Sequence, residues 1–180
     1  KIARESSGFK EFSSNADNIG SGGGSLRNGG PGNNSPNRPD FYVNPKGEAV
    51  PGTAYRYMDS NSPEAIRALK NGSGELRSYF GFEKFNSASK AQDRYQVLPE
   101  WSNAKVRGEF DTLQLSDKNG NFNVRIPNSL GDKGKVPEPI ANSYPRSTHG
   151  NGGGAQIKPT KNSNNQFPVI KYDNVTNINN

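Results

Sequence analysis

Cysteine is absent from the 180 residues of the chain, which excludes disulfides and thiolate metal sites. Histidine occurs once, at His149, so no imidazole-built metal centre is expected either. No apolar run approaches membrane-spanning length, and no basic-then-apolar leader opens the sequence. The glycine runs "GSGGGS" and "GNGGGA" lack the Lys-Ser/Thr ending of a P-loop, and neither follows a strand in a βαβ unit. No Gly-x-Ser-x-Gly elbow is present, a serine triad would have a single histidine to draw on, and no carboxylate pair stands in a setting that would split its pKa values. Apolar residues are themselves scarce, at 29%, against 21 Gly and 13 Pro. That balance lies between a compact domain and a disordered chain.

What apolar material there is sits unevenly. Residues 1–40 are rich in Gly, Ser and Asn, whereas residues 41–145 hold six of the seven Tyr and the single Trp. "SGGGSLRNGGPGNNSPNRP" has nothing to bury against the entropy of ordering it, so residues 1–40 read as an N-terminal junction and flexible Gly/Asn-rich linker. One folded domain is expected over residues 41–180. A chain that opens on Lys1 rather than Met is expected to be a piece of a longer polypeptide. Charge is biased too: between Lys118 and Lys171 stand eight basic and two acidic residues, so that window alone matches the formal net charge of +6. Such a bias suits a polyanionic partner, or simply a solvated basic surface.

The elements follow from pattern. "FYVNPKGEAVPGTAYRYMDS" predicts a strand, a turn at Asn44–Gly47 and a second strand through Tyr57, with Ala54, Arg56 and Met58 on one face and Tyr55 and Tyr57 on the other. "SPEAIRALKNG" predicts a helix capped by Ser62, with Pro63 first, Ile66 and Leu69 one turn apart, and Asn71-Gly72 ending it. "RSYFGF" predicts a strand bent at Gly81, and "SASKAQDRYQ" a second helix capped by Ser87. "AKVRGEFDTLQL" carries the clearest strand pattern, Val106, Phe110 and Thr112 alternating with charged neighbours and Gly108 as a bulge. A turn at "SDKNGNF" and short strands at "NVRIP", "AQIK" and "PVIKY" complete an α+β domain: a small, mostly antiparallel sheet with two short helices.

Several polar groups in this frame can handle phosphates without metal or cofactor. Cleavage of RNA by internal transfer needs a base for the 2′-hydroxyl, a cation for the crowded phosphate and an acid for the leaving oxygen. His149 is the only imidazole, and the N–H groups of Gly150 to Gly154, including Gly153 and Gly154, could form an anion nest. Arg56 and Arg125 stand on strands, and Thr112 and Gln114 share a strand face opposite Asp111. Each has a plainer reading: a histidine in an exposed loop, a flexible turn, an arginine snorkelling over a sheet edge, a good strand threonine. Tyr55, Tyr57, Tyr79, Phe80 and Phe82 suit a core better than a base-stacking platform.

The order "GTAYRYMDS", "SYFGFEKF", "RGEFDTLQL", "RIPNSLGD", "EPIANSYP", "GGGAQI" resembles the C-terminal toxin domains of bacterial polymorphic toxins. These are the variable tips of contact-dependent inhibition proteins and Rhs-type effectors, and the resemblance spans residues 41–160. It implies a domain secreted as the tip of a larger effector, acting in the cytoplasm of a target bacterium and neutralised in the producer by a cognate immunity protein. Its motif positions here are Tyr55, Arg56, Phe110, Asp111, Thr112, Gln114, Glu138, Pro139, Tyr144, Pro145, Gly153, Gly154 and Gln156. The pattern is most similar to toxins that cleave transfer RNA, some with elongation factor Tu as helper. On that reading Arg56, Thr112, His149 and Gln156 are the catalytic candidates. Tyr55, Asp111, Gln114, Arg125, Lys133, Lys135, Arg146, Gly153 and Gly154 would hold the substrate. No cofactor, metal or membrane insertion is expected of the domain.

The early arginine of "YRY", the aromatic strand before Ser87 and a late Gly-rich element ending in Gln156 also resemble ADP-ribosyltransferase or NAD-glycohydrolase toxins. There Arg56 would grip the pyrophosphate and Gln156 would sit near the nicotinamide ribose. The lack of a Gln/Glu-x-Glu element near the end fits a hydrolase better than a transferase. A non-enzymatic docking module is the third expectation.

Overall fold

The computed structural model describes residues 38–45, 47, 49–122, 124–125, 150–152, 154 and 156–180. In chain order these form β1 (Phe41–Val43), β2 (Ala49–Pro51), β3 (Thr53–Met58), α1 (Pro63–Asn71), β4 (Ser73–Glu75), β5 (Phe80–Gly81), α2 (Ala88–Tyr95), β6 (Val106–Asp111), a 3₁₀ turn (Thr112–Leu115), β7 (Val124–Arg125), β8 (Gln156–Pro159), β9 (Val169–Lys171) and β10 (Asn174–Asn177). The fold is α+β. A six-stranded sheet runs β10-β6-β3-β5-β8-β7, with two small two-stranded sheets, β1-β2 and β4-β9, beside it. Every pair of named strands is antiparallel.

The alternation of β3 places a helix on each side of the sheet. Ala54 and Met58 face a core shared with Val106 and Phe110 of β6, Phe80, Ile157, Leu115, and Ala65 and Ala68 of α1. Tyr57 faces the other way, into a cluster with Phe85, Tyr95, and Ala88 and Ala91 of α2. Both helices are capped as their sequences predict. The Ser62 hydroxyl accepts from the Ala65 N–H and Gly72 closes α1 in the left-handed conformation, while the Ser87 hydroxyl accepts from the Lys90 N–H.

Two expectations need correcting, the strand end and the Gly108 bulge, and two features had no expectation, the buried side of α1 and strand β10. The buried side of α1 is Ala65 and Ala68, whereas Ile66 and Leu69 are 55% and 41% exposed. Both pairs have helical spacing; the alanines win because a small side chain lets the helix lie close on the sheet. The strand of "VRGEFD" stops at Asp111, whose carboxylate accepts from the Leu113 N–H and starts a 3₁₀ turn, so Thr112 and Gln114 share no strand face. Gly108 is no bulge. It pairs in unbroken register with Arg56 and Val175, and a side chain there would strike the ring of Tyr172. Finally β10, in "NVTN", is a strand that its polar composition hid: it completes the sheet edge against β6.

Gln114 ties the small β4-β9 sheet to this framework. Its Nε2 donates to the Lys171 carbonyl at 2.9 Å and its Oε1 accepts from the Lys171 N–H at 2.8 Å. Ahead of β1, Arg38 ion-pairs with Asp111 at 3.3 Å and Asp173 at 2.8 Å. Burial raises the carboxyl of Asp173, which the Arg38 guanidinium opposes. The two acids share one arginine at the end of β6.

Candidate functional site

Strand β5 is two residues long and meets β3 at one register position, Tyr55 opposite Gly81. Beyond it β3 runs on through Tyr57 towards Asp59, and the chain entering β5 lies opposite as Ser78 and Tyr79. A pocket of about 490 Å³ opens along this stretch, lined by these residues, by Arg56 and Glu64, by Tyr95, Gln96 and Val97 at the end of α2, by Trp101 and Ser102, and by Gln156.

Arg56 is fixed at its wall. Nε donates to Glu64 Oε1 at 2.9 Å and Nη2 to Glu64 Oε2 at 2.8 Å, a bidentate pair between β3 and the first turn of α1. Nη1 donates to the carbonyls of Tyr57 at 2.8 Å and Tyr79 at 3.1 Å, which tie the two parted segments together. A guanidinium has five N–H donors, so these four contacts account for all but one, on Nη2. Glu64 is a site residue that sequence reasoning passed over. Its only signal was an acidic residue two positions after the Ser62 cap.

Gln156 opens β8 opposite Gly81, on the far side of β5 from Arg56. It is 7% exposed, and its Nε2 donates to the Tyr95 carbonyl at 3.4 Å. Tyr95 is the floor of the pocket. Its hydroxyl accepts from the Glu83 N–H at 3.2 Å, and its ring packs against Tyr57 and Phe85 with centroids 5.8 and 5.7 Å away. Burial drives its hydroxyl far above the ordinary tyrosine value. The Tyr57 hydroxyl donates to the Glu83 carbonyl at 2.9 Å and accepts from the Phe85 N–H at 2.6 Å. Burial pushes it up to about 12.

Two glycines make room for Tyr95. A Cβ on Gly81 would overlap the Tyr95 hydroxyl and ring, and one on Gly154 would lie 2.6 Å from the ring and 2.8 Å from the Arg94 carbonyl. Gly81→Ala is therefore expected to displace the Tyr95 ring and cost about 1–3 kcal/mol, the usual penalty of an overpacked core. The measurement is a denaturant melt, and an unchanged midpoint would mean the ring is not held where the strands place it.

The remaining expected site residues scatter. Thr112 is wholly buried and its hydroxyl donates to the Pro51 carbonyl at 2.6 Å, which leaves it no surface to offer a phosphate. Asp111 is paired with Arg38, and Gln114 is spent on β9, both away from the pocket lining. Tyr55 packs against the α2 cluster, with its hydroxyl raised by burial. Arg125 lies on β7, at the sheet edge beyond β8, paired with Lys158. Lys133, Lys135, Arg146, His149 and Gly153 lie outside the described residues, as do Glu138, Pro139, Tyr144 and Pro145.

The expected anion nest is also corrected. The Asn151 N–H donates to Asp93 Oδ1, the Gly152 N–H to the Asp93 carbonyl and the Gly154 N–H to the Arg94 carbonyl. These three donors cap the last turn of α2 and are spent within the fold. Charge at the pocket is mixed: Arg56, Glu64 and Asp59 all line it, and the Lys158 amine lies 4.9 Å from the ring centre of the lining Tyr79. Among the described residues, no helix is long and apolar enough to cross a membrane.

No protein-family model, curated protein or solved structure matches this chain. Function therefore rests on the pocket: one arginine held in a fork, one buried glutamine from the opposite strand, an aromatic floor, and the lone tryptophan, 59% exposed, at the lining.

Proposed function

We propose that the chain is an antibacterial toxin domain whose Arg56–Gln156 pocket takes NAD and breaks its nicotinamide–ribose bond. The observation that carries this reading is that Arg56 of β3 and Gln156 of β8, 100 positions apart in sequence, line one pocket of about 490 Å³. That size lies within the range of small-molecule sites, whereas a polyanionic strand calls for a continuous basic groove.

The chemistry follows from the positions. Arg56 Nη2 donates to the pyrophosphate, and the Gln156 carboxamide orients the nicotinamide ribose. The C–N bond breaks with its electron pair leaving on nicotinamide, which becomes neutral. Water, or an acceptor side chain of a target protein, then adds at the ribose carbon and loses a proton. The transition state is cationic at that carbon. NAD is substrate here, and no further cofactor is required. A cognate immunity protein in the producing cell, and action in the cytoplasm of a recipient bacterium, belong to the same reading.

Transfer-RNA cleavage is the second reading, favoured by the basic bias between Lys118 and Lys171. One experiment separates the two. The protein is incubated without divalent metal with NAD in one vessel and with total transfer RNA, with and without elongation factor Tu, in another. Release of nicotinamide with intact RNA is the expected result. Cut RNA with an unchanged NAD pool would reverse the order of the two readings.

A further inference from the structure

Gln96 is built against the interests of the fold. It is the residue that closes α2, in the left-handed conformation with φ 52° and ψ 43°, a position where glycine is favoured because it has no Cβ to clash. The residue is only 7% exposed. Neither Nε2 nor Oε1 has a hydrogen-bond partner among the described residues. A buried carboxamide with both ends unsatisfied is rare in folded proteins and calls for a reason outside packing. Gln96 lines the same pocket as Arg56, Gln156 and the exposed Trp101.

We propose that Gln96 is the base-recognising residue of the pocket. Its donor and acceptor pair with the edge of a planar heterocycle that carries an adjacent acceptor and donor. Nicotinamide's carboxamide and the N6/N7 edge of adenine share that pattern. The indole of Trp101, at the pocket lining, supplies a face on which such a ring can stack. This rests on the nucleotide reading of the pocket and adds to it the group that selects the base.

The inference makes stability and binding move in opposite directions. Gln96→Met keeps the length of the side chain and removes the two unsatisfied polar atoms; Gln96→Gly also relieves the left-handed backbone. Each is expected to raise Tm, by about 3 °C for a chain of this size, while weakening NAD binding at least about tenfold, the worth of one good hydrogen bond. Titrations with nicotinamide mononucleotide and with AMP identify the base: the half-molecule whose affinity falls in the variants is the one Gln96 reads. A lower Tm in Gln96→Met would mean the carboxamide serves the fold, and overturns the inference. Unchanged affinity for NAD and both half-molecules overturns it while leaving the nucleotide pocket standing. A wild-type protein that binds none of the three overturns both.

Discussion

Arg56→Ala is expected to lose nicotinamide release by about 100-fold and to unfold earlier than the wild type. The guanidinium makes four hydrogen bonds inside the protein, two to Glu64 and one each to the Tyr57 and Tyr79 carbonyls. The pair is 15% and 23% exposed at its side chains, so it lies between a surface ion pair, worth under about 1 kcal/mol, and a fully buried one, where losing a partner costs about 3–5 kcal/mol. With two carbonyls also left short of a donor, a loss of about 2–3 kcal/mol is expected. Arg56→Lys should recover little of either property, because one ammonium cannot fork onto a carboxylate while reaching two carbonyls on separate segments. Glu64→Ala should be coupled to both changes, so that Arg56→Ala costs less in its background. Thermal melts and an NAD assay on the wild type, the single variants and the double variant read this out. An Arg56→Lys protein that matched the wild type in both would show that the fork is not what positions the site.

The second large effect is with pH. Tyr57, Tyr95 and Tyr172 are 8%, 6% and 5% exposed, and burial raises all three hydroxyls above the ordinary value of 10.0, Tyr57 to about 12. The folded state thus keeps its tyrosine protons where the unfolded chain has begun to release them. Stability then falls with rising pH, because the unfolded state binds fewer protons. These groups cost nothing below the unfolded pKa. Above it, each removes about 1.4 kcal/mol per pH unit until its folded pKa is reached, so the three together should remove about 4 kcal/mol by about pH 11. Cooperative alkaline unfolding is expected between about pH 10 and 12, followed by circular dichroism together with tyrosinate absorbance, the two transitions coinciding. Ionisation of more than four of the seven tyrosines well before the secondary structure is lost would contradict the burial of these rings.

The alternation of "TAYRYM" and the caps at Ser62 and Ser87 were legible because they are local: backbone geometry and short-range hydrogen bonds decide them. Legibility failed where tertiary packing chose between equal local options. On α1 the pairs Ala65/Ala68 and Ile66/Leu69 have the same spacing, and the close approach of helix to sheet selected the alanines. Thr112 continued a strand pattern that the Asp111 cap interrupts. Gly152 and Gly154 looked like free donors in the bare sequence, and the end of α2 claims them. Motif order picked out Arg56 and Gln156, but that they line one pocket depends on the strand order β3-β5-β8, which no local pattern reveals. Gln96 was not legible at all. Nothing marks it as buried until Tyr95, Trp101 and the parted strands are in place around it.

The chain has one tryptophan, Trp101, and it stands at the pocket, so its emission reports on that site alone. Titrating NAD into the protein while recording this fluorescence is the most direct test of a nucleotide pocket. A saturable change with NAD, absent in Gln156→Ala and absent with a short single-stranded RNA, is the predicted result. Emission that ignores NAD and shifts with the RNA would contradict it.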